Sequence, residues 1–382
     1  MEKEIYLDNA AATKALPEVT EAIVDALEKN YANPSSLHRF GFKSEKILKN
    51  SRKIIANYLG IKDKEIVFTS GGTESNNLAI RGITKSYENR GKQLISSPIE
   101  HSSVAELFKI LEAEGWQVKI VEVDQGGHVD LEHLKSLITE ETLLVSIMQV
   151  NNELGTIQPI KKIAEIIKEK NPLSFFHVDG VQAFGKLYSD LSKWPVDLYS
   201  VSGHKIHGPK GIGALYIKEG TNLKPLIYGG GQERKLRSGT ENIPAIAGLA
   251  EAVKKLPKFS SKNKADKIMT AKKNYLLSKL HQIKDVVINS PEESAPHIIN
   301  FSIPGIKGET MLHALESQRI YISTGSACSS KSKGSRIINA CGLSQKRSES
   351  ALRVSLNRKI TNDDLDYFIK TLKEQINFLK IF

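Results

Sequence analysis

The chain has 382 residues and 42.3 kDa, with 40% apolar and 25% charged residues. These are the values of a globular protein with room for two domains, and they exclude a disordered or fibrous chain. No run reaches the roughly 18 apolar residues of a membrane span, and the residues after Met1 lead into Ile5, Tyr6 and Leu7 without the apolar stretch of a secretory leader, so a cytoplasmic protein without membrane attachment is expected.

Short β-branched runs alternate with longer amphipathic stretches. Strands are predicted at 65–69, 93–96, 118–123, 142–150, 175–178, 198–201 and 214–217, with helices at 73–88, 104–114 and 159–170 between several of them. This is the βαβ rhythm of a mostly parallel sheet, hence an α/β fold. Beyond Leu223 the texture changes, through Gly229, Gly230 and Gly231 to a helix from Ile243 and a short strand at 298–302, and a second domain is expected to start near 251. The net charge of +11 is localised: residues 251–285 hold ten lysines against three acids, +7 of the excess. They read as one basic helical face, solvated because no aromatic platform is interleaved for bases to stack on, so direct nucleic-acid binding is not expected.

Several strand ends carry chemistry. Residues 66–77 read as strand, Ser70-Gly71-Gly72-Thr73 turn and helix start, followed by Glu74. Glycines permit close backbone approach, and unpaired N–H groups at a helix start can bind a phosphate dianion, although the same turn also occurs as plain structure. The stretch from Gly180 to Leu187 comes near a P-loop, but Leu187 has no hydroxyl for magnesium and the ATPase reading is rejected. Asp179 ends an apolar strand and Gln182 follows it; an Asp there either meets a cationic ring nitrogen or caps a turn. At the next strand end stand Ser202, His204 and Lys205. A lysine with a lowered pKa is a Schiff-base nucleophile toward an aldehyde. A phosphate cradle, a carboxylate and a lysine at neighbouring strand ends match the phosphate, ring nitrogen and aldehyde of pyridoxal 5'-phosphate. His204 and His207 are too few for a metal site, and two cysteines, Cys328 and Cys341, exclude a disulfide scaffold or a thiolate zinc site.

Taken together, the ordered motifs at 6–11, 32–38, 69–77, 100–101, 151–155, 178–182, 202–211, 237–242 and 326–329 resemble the NifS/IscS-like cysteine desulfurases, class V members of the fold-type I pyridoxal-phosphate enzymes, over nearly the full length. The resemblance implies a large domain (14–250) with a mostly parallel seven-stranded sheet and a smaller α+β domain (1–13 and 251–382) carrying the Cys loop. It implies that Thr73, Ser202 and His204 hold the cofactor's phosphate, with Thr240 reaching across from the other subunit of a homodimer, and that Gly72, Glu74 and Asn152 also bind the cofactor. His101 should stack on the ring and take part in catalysis, Asp179 should pair with the ring nitrogen, Gln182 should contact the ring hydroxyl, and Lys205 should carry the cofactor. Arg353 should bind the substrate carboxylate, with Asn33 and Asn152 beside it.

By the same resemblance Cys328 is the nucleophile: its thiolate takes the sulfur of cysteine as a persulfide and alanine is released. Cys341 lies in an apolar helical pattern and reads as core. The persulfide would pass to an acceptor in iron–sulfur cluster assembly or tRNA thiolation, and the sequence does not choose between them. After Cys328 the chain runs through Lys331 and Lys333 to Ser335, where relatives often carry a proline. A selenocysteine lyase and an aminotransferase of the same fold are the alternatives, with a basic nucleic-acid-binding protein as the reading from another class.

Overall fold

The computed structural model describes residues 4–325 and 334–381. Its centre is a seven-stranded sheet of β2 (Ile66–Thr69), β3 (Gln93–Ser96), β4 (Gln117–Ile120), β5 (Thr142–Met148), β6 (Phe175–Asp179), β7 (Leu198–Ser202) and β8 (Gly213–Ile217), in the order β2-β8-β7-β6-β5-β3-β4. β8 runs antiparallel to both its neighbours and every other pair is parallel. All residues of these strands except those of the edge strand β4 are buried. That is the pattern of a sheet covered on both faces.

Successive strand residues feed opposite layers. Ile66, Phe68, Val145, Ile147, Phe176 and Val178 join one core, against α1 (Pro17–Lys29), α2 (Arg39–Leu59), α6 (Ile160–Lys170) and α7 (Ile243–Lys254), with α5 (Leu131–Leu137) at its margin. Val67, Leu94, Leu144, Phe175 and Leu198 face the other layer, where α3 (Gly72–Ser86) and α4 (Ser102–Ala113) supply Leu78, Ile83, Leu107 and Leu111.

A further core is built from β1 (Ile5–Tyr6), β9 (Val287–Ile288), β10 (Ile298–Ser302), β11 (Ile320–Tyr321) and β12 (Ala351–Ser355). β10 lies antiparallel between β9 and β12, and β1 pairs in parallel with β11. α8 (Lys267–Leu280), α9 (Gly308–Glu316) and α12 (Asn362–Leu379) cover it with Leu276, Met311, Leu315, Phe368 and Leu372, while α10 (Arg336–Ala340) and α11 (Gln345–Glu349) lead into β12. Ile5 and Leu7 belong to this core, so the start of the chain folds with its last third.

Three sequence expectations change. The strand predicted at 118–123 is β4 and stops at Ile120, because Val123 leaves the sheet for a bridge to Val129. The strand predicted at 142–150 stops at Met148, because Val150 leaves the sheet for a bridge to Ile157 and the chain turns back at Gly155 (φ 77°). The lysine-rich stretch is not one helical face. α7 ends at Lys254, Pro257 follows, and α8 starts afresh under the Asp266 cap, whose carboxylate accepts from the Ile268 and Met269 N–H groups. Lys273 is buried on the carbonyls of Ser294 and Ala295, Lys255 pairs with Glu18, and Lys254 pairs with Glu251.

The topology aims one edge of the sheet at the second core. β2, β3, β5, β6 and β7 all end on the same edge, and in an open α/β sheet ligands bind outside the carboxyl ends of the strands. No described helix is long and apolar enough to cross a membrane.

Candidate active site

A cavity of about 290 Å³ opens at that edge. Its wall brings together Gly72, Thr73, His101, Asn152, Asp179, Gln182, Ser202, His204, Lys205 and Arg353 from the sequence reading. Three others lie elsewhere. Glu74 is turned away, its carboxylate held by the Arg237 guanidinium at 3.0 Å and the Ser70 N–H at 2.7 Å. Asn33 is exposed in the turn before α2, where its Oδ1 accepts from the Ser35 N–H. Thr240 is exposed and off the cavity wall of its own chain. Cys328 lies outside the described residues; Gly325, just before that stretch, is on the wall.

β2 turns through Gly71 and Gly72 into α3, whose first turn has no side-chain cap. Its N–H groups are therefore left for an anion. Small residues are required here: a Cβ on Gly72 would come within 2.7 Å of Val181 Cγ2, and one on Gly213 within 2.7 Å of the Gly71 backbone. Ser202 Oγ and His204 Nδ1 lie 2.9 Å apart on the opposite side, and burial, followed by the charge of Lys205, lowers the His204 pKa to about 4. Neutral His204 thus adds a neutral hydrogen-bonding group without adding charge.

Asp179 is buried at the end of β6. Oδ1 accepts from the Val181 N–H at 3.0 Å and Oδ2 from Asn76 Nδ2 at 2.8 Å. Asn76 also donates to Ser103 Oγ, which lies 2.9 Å from His101 Nδ1, so the carboxylate and the His101 ring share one frame. His101 caps α4, and burial lowers its pKa. Asn76 and Ser103 were not singled out from the sequence; Asn76 stood inside the quoted motif, but its pairing with Asp179 crosses 103 positions.

The Lys205 amine donates to the carbonyls of Ala10 at 2.7 Å and Ala11 at 2.8 Å. Burial, then the Arg353 charge, lowers its pKa to about 8, within reach of a nucleophilic free amine. Arg353 is buried on β12, where its Nη1 donates to the Asn152 carbonyl at 2.9 Å and its Nη2 to Asp8 Oδ1 at 2.7 Å. Its buried Nε makes no hydrogen bond among the described residues, leaving a charged donor for a carboxylate.

The stretch from Gly180 to Leu187 is a tight turn, not a phosphate loop. A Cβ on Gly180 would fall 2.0 Å from Tyr199 Cζ, and the Lys186 amine is spent on Gln182. Cys341 is buried among Ile99, Met148, Leu154 and Ile338, and burial pushes its thiol up to about 12. It is a packing residue and no nucleophile at neutral pH.

The fold and cavity are those of a pyridoxal-phosphate enzyme of fold type I. The profile described as aminotransferase class-V matches residues 5–368. The chain is 40% identical over 380 residues to the cysteine desulfurase IscS of Clostridium botulinum, covering 98% of this chain and 95% of that one. A solved structure titled NifS-like protein superposes with a TM-score of 0.93 at 39% identity, over 98% of this chain and all of the other. One titled "SspA in complex with cysteine" does so with a TM-score of 0.82 at 35% identity, over 93% and 99%. The chain belongs to the class-V aminotransferase family, within which these relatives are NifS/IscS-like proteins.

The residues present fit pyridoxal 5'-phosphate. The uncapped start of α3 suits its phosphate, the doubly held Asp179 carboxylate its ring nitrogen, and the low-pKa Lys205 amine its aldehyde.

Proposed function

We propose that the chain is an L-cysteine desulfurase that uses pyridoxal 5'-phosphate and stores the released sulfur as a persulfide on Cys328. The observation that carries this reading is the convergence of Asp179, Lys205 and Arg353 on one cavity, each already oriented by partners of its own. The Clostridium botulinum relative is named a cysteine desulfurase, and one structural neighbour is titled as a complex with cysteine.

Bound pyridoxal phosphate supplies an electron sink for the amino acid's Cα. The chain supplies the rest. Arg353 Nε and the Asn152 region receive the substrate carboxylate, and the His101 ring forms one wall. Asp179, held in place by Asn76 and the Val181 N–H, would pair with the ring nitrogen and keep a proton there. Lys205 carries a proton between Cα and its own amine, and its pKa of about 8 makes both forms accessible near neutrality. The Cys328 thiolate attacks the substrate sulfur, so that an S–S bond forms and the Cβ–S bond breaks. The electron pair stays with the three-carbon skeleton, which leaves as alanine after protonation.

The domain division at 14–250, the homodimer and the cytoplasmic location belong to the same proposal. In support of a dimer, Tyr31, Leu37, Phe40, Phe42 and Tyr228 are exposed, as is Thr240, which fits a residue that serves the neighbouring subunit. A sulfur acceptor from either iron–sulfur assembly or tRNA thiolation completes the reaction. The test is the purified protein loaded with pyridoxal phosphate and given L-cysteine: alanine and reducible sulfur should form in equal amounts. Formation of a keto acid in place of alanine would instead make it an aminotransferase.

A further inference from the structure

Lys186 is a buried lysine that the chemistry above does not use. Among the described residues it has no carboxylate partner: its one hydrogen bond there runs from Nζ to Gln182 Oε1 at 3.4 Å, and the charges that act on it, Lys205 and Arg353, are both cations. On the same oxygen, from β10's approach, lies His297 Nε2 at 3.3 Å. His297 is fully buried, its Nδ1 has no hydrogen-bond partner among the described residues, and the cations Lys186, Lys273, Arg353 and Lys205 act on it as well. Two such groups around one amide oxygen are costly to bury, so their arrangement asks for a purpose.

Gln182 is on the cavity wall, and its Nε2 donates to the Ala10 carbonyl at 2.9 Å. An amide has one acceptor oxygen and two N–H donors. With Oε1 engaged by Lys186 and His297 and one N–H by Ala10, what is left is a single N–H. The opposite orientation would set the amide oxygen against the Ala10 carbonyl and the NH₂ against the Lys186 amine. The geometry points to Lys186 and His297 as positioning residues that lock the Gln182 amide so that it offers the cavity a hydrogen-bond donor and no acceptor, selecting an anionic ring oxygen on the cofactor. This rests on the reading of the cavity as a pyridoxal-phosphate site. Burial lowers the Lys186 pKa to about 7, so both amine forms occur near neutrality, and each retains an N–H for Oε1.

The test is a double-mutant cycle of Lys186→Met and Gln182→Leu, read by the affinity of the apoprotein for pyridoxal phosphate and by the pH midpoint of the bound cofactor's absorbance. A lost donor to an anionic oxygen leaves that oxygen more basic, so both single variants should raise the midpoint and weaken binding about three- to tenfold, somewhat under the ~1.5 kcal/mol of a hydrogen bond to a charged group. In the Gln182→Leu background, Lys186→Met should add nothing. Equal shifts in both backgrounds would mean that Lys186 acts by its charge alone, and an unmoved midpoint in Lys186→Met would mean that it does not act; either overturns the inference. His297→Leu provides a second route and should reproduce the shift, again only when Gln182 is present. If the wild-type apoprotein binds no pyridoxal phosphate, the cofactor reading itself falls.

Discussion

Asn76 offers the sharpest test of how the site is preorganised. Its Nδ2 donates to Asp179 Oδ2 at 2.8 Å and to Ser103 Oγ at 2.8 Å, while among the described residues the other oxygen of Asp179 accepts from the Val181 N–H alone. Asn76→Ala therefore removes one of two charge-assisted hydrogen bonds from a buried carboxylate, worth about 1.5–3 kcal/mol. Without that donor the carboxylate is no longer held in line with the ring nitrogen when charge must flow into the ring, so the loss is one of positioning and falls on the chemical step. At ~1.4 kcal/mol per tenfold, kcat for alanine formation should drop roughly 10- to 100-fold. KM should change little, because Arg353 is untouched. Asn76→Asp should be worse, since it sets a second carboxylate against Asp179. The assay is steady-state alanine production by protein whose cofactor content has been measured. A fully loaded Asn76→Ala enzyme within threefold of wild-type kcat would refute the reasoning.

Lys205→Ala should leave a folded protein that binds pyridoxal phosphate only reversibly, so that borohydride treatment fixes no cofactor to the chain; a reducible bond in that variant would move the nucleophile elsewhere. Arg353→Gln should raise KM for cysteine at least about tenfold, consistent with a lost hydrogen bond to a charged group, and a KM that does not move would remove Arg353 from the substrate's path. Acid stability should follow His177, which burial holds at a pKa of about 3 between Ser146 Oγ and Ser200 Oγ. Its folded value lies below the unfolded one, near 6.5, so the unfolded chain binds more protons and stability is lost as pH falls below about 6.5. By pH 4.5 this amounts to roughly 2–3 kcal/mol, and His177→Gln should flatten that limb of a denaturant titration.

What could be read in advance had a side-chain signature. The apolar runs gave the sheet because a strand buried on both faces has no polar alternation to interrupt it, and Asp179 and Lys205 stood out as charges at the ends of such runs. The rest depended on partners distant in sequence. Lys205 rests on the carbonyls of Ala10 and Ala11, nearly two hundred positions away, and a backbone carbonyl carries no residue signature. Glu74 looked like part of the cradle until Arg237 claimed its carboxylate. The lysine-rich stretch misled because charge composition does not report burial, and Lys273 is enclosed by the turn at Ser294 and Ala295.

The central claim is that sulfur leaves cysteine onto Cys328, and one measurement addresses it directly. The loaded enzyme is mixed with a single equivalent of L-cysteine, quenched by alkylation and digested, and the peptides bearing Cys328 and Cys341 are weighed. One added sulfur on Cys328, matched by one alanine and absent from a Cys328→Ser variant that still binds the cofactor, is the predicted result. Alanine released at the wild-type rate by that variant, or the extra sulfur found on Cys341, would contradict the account.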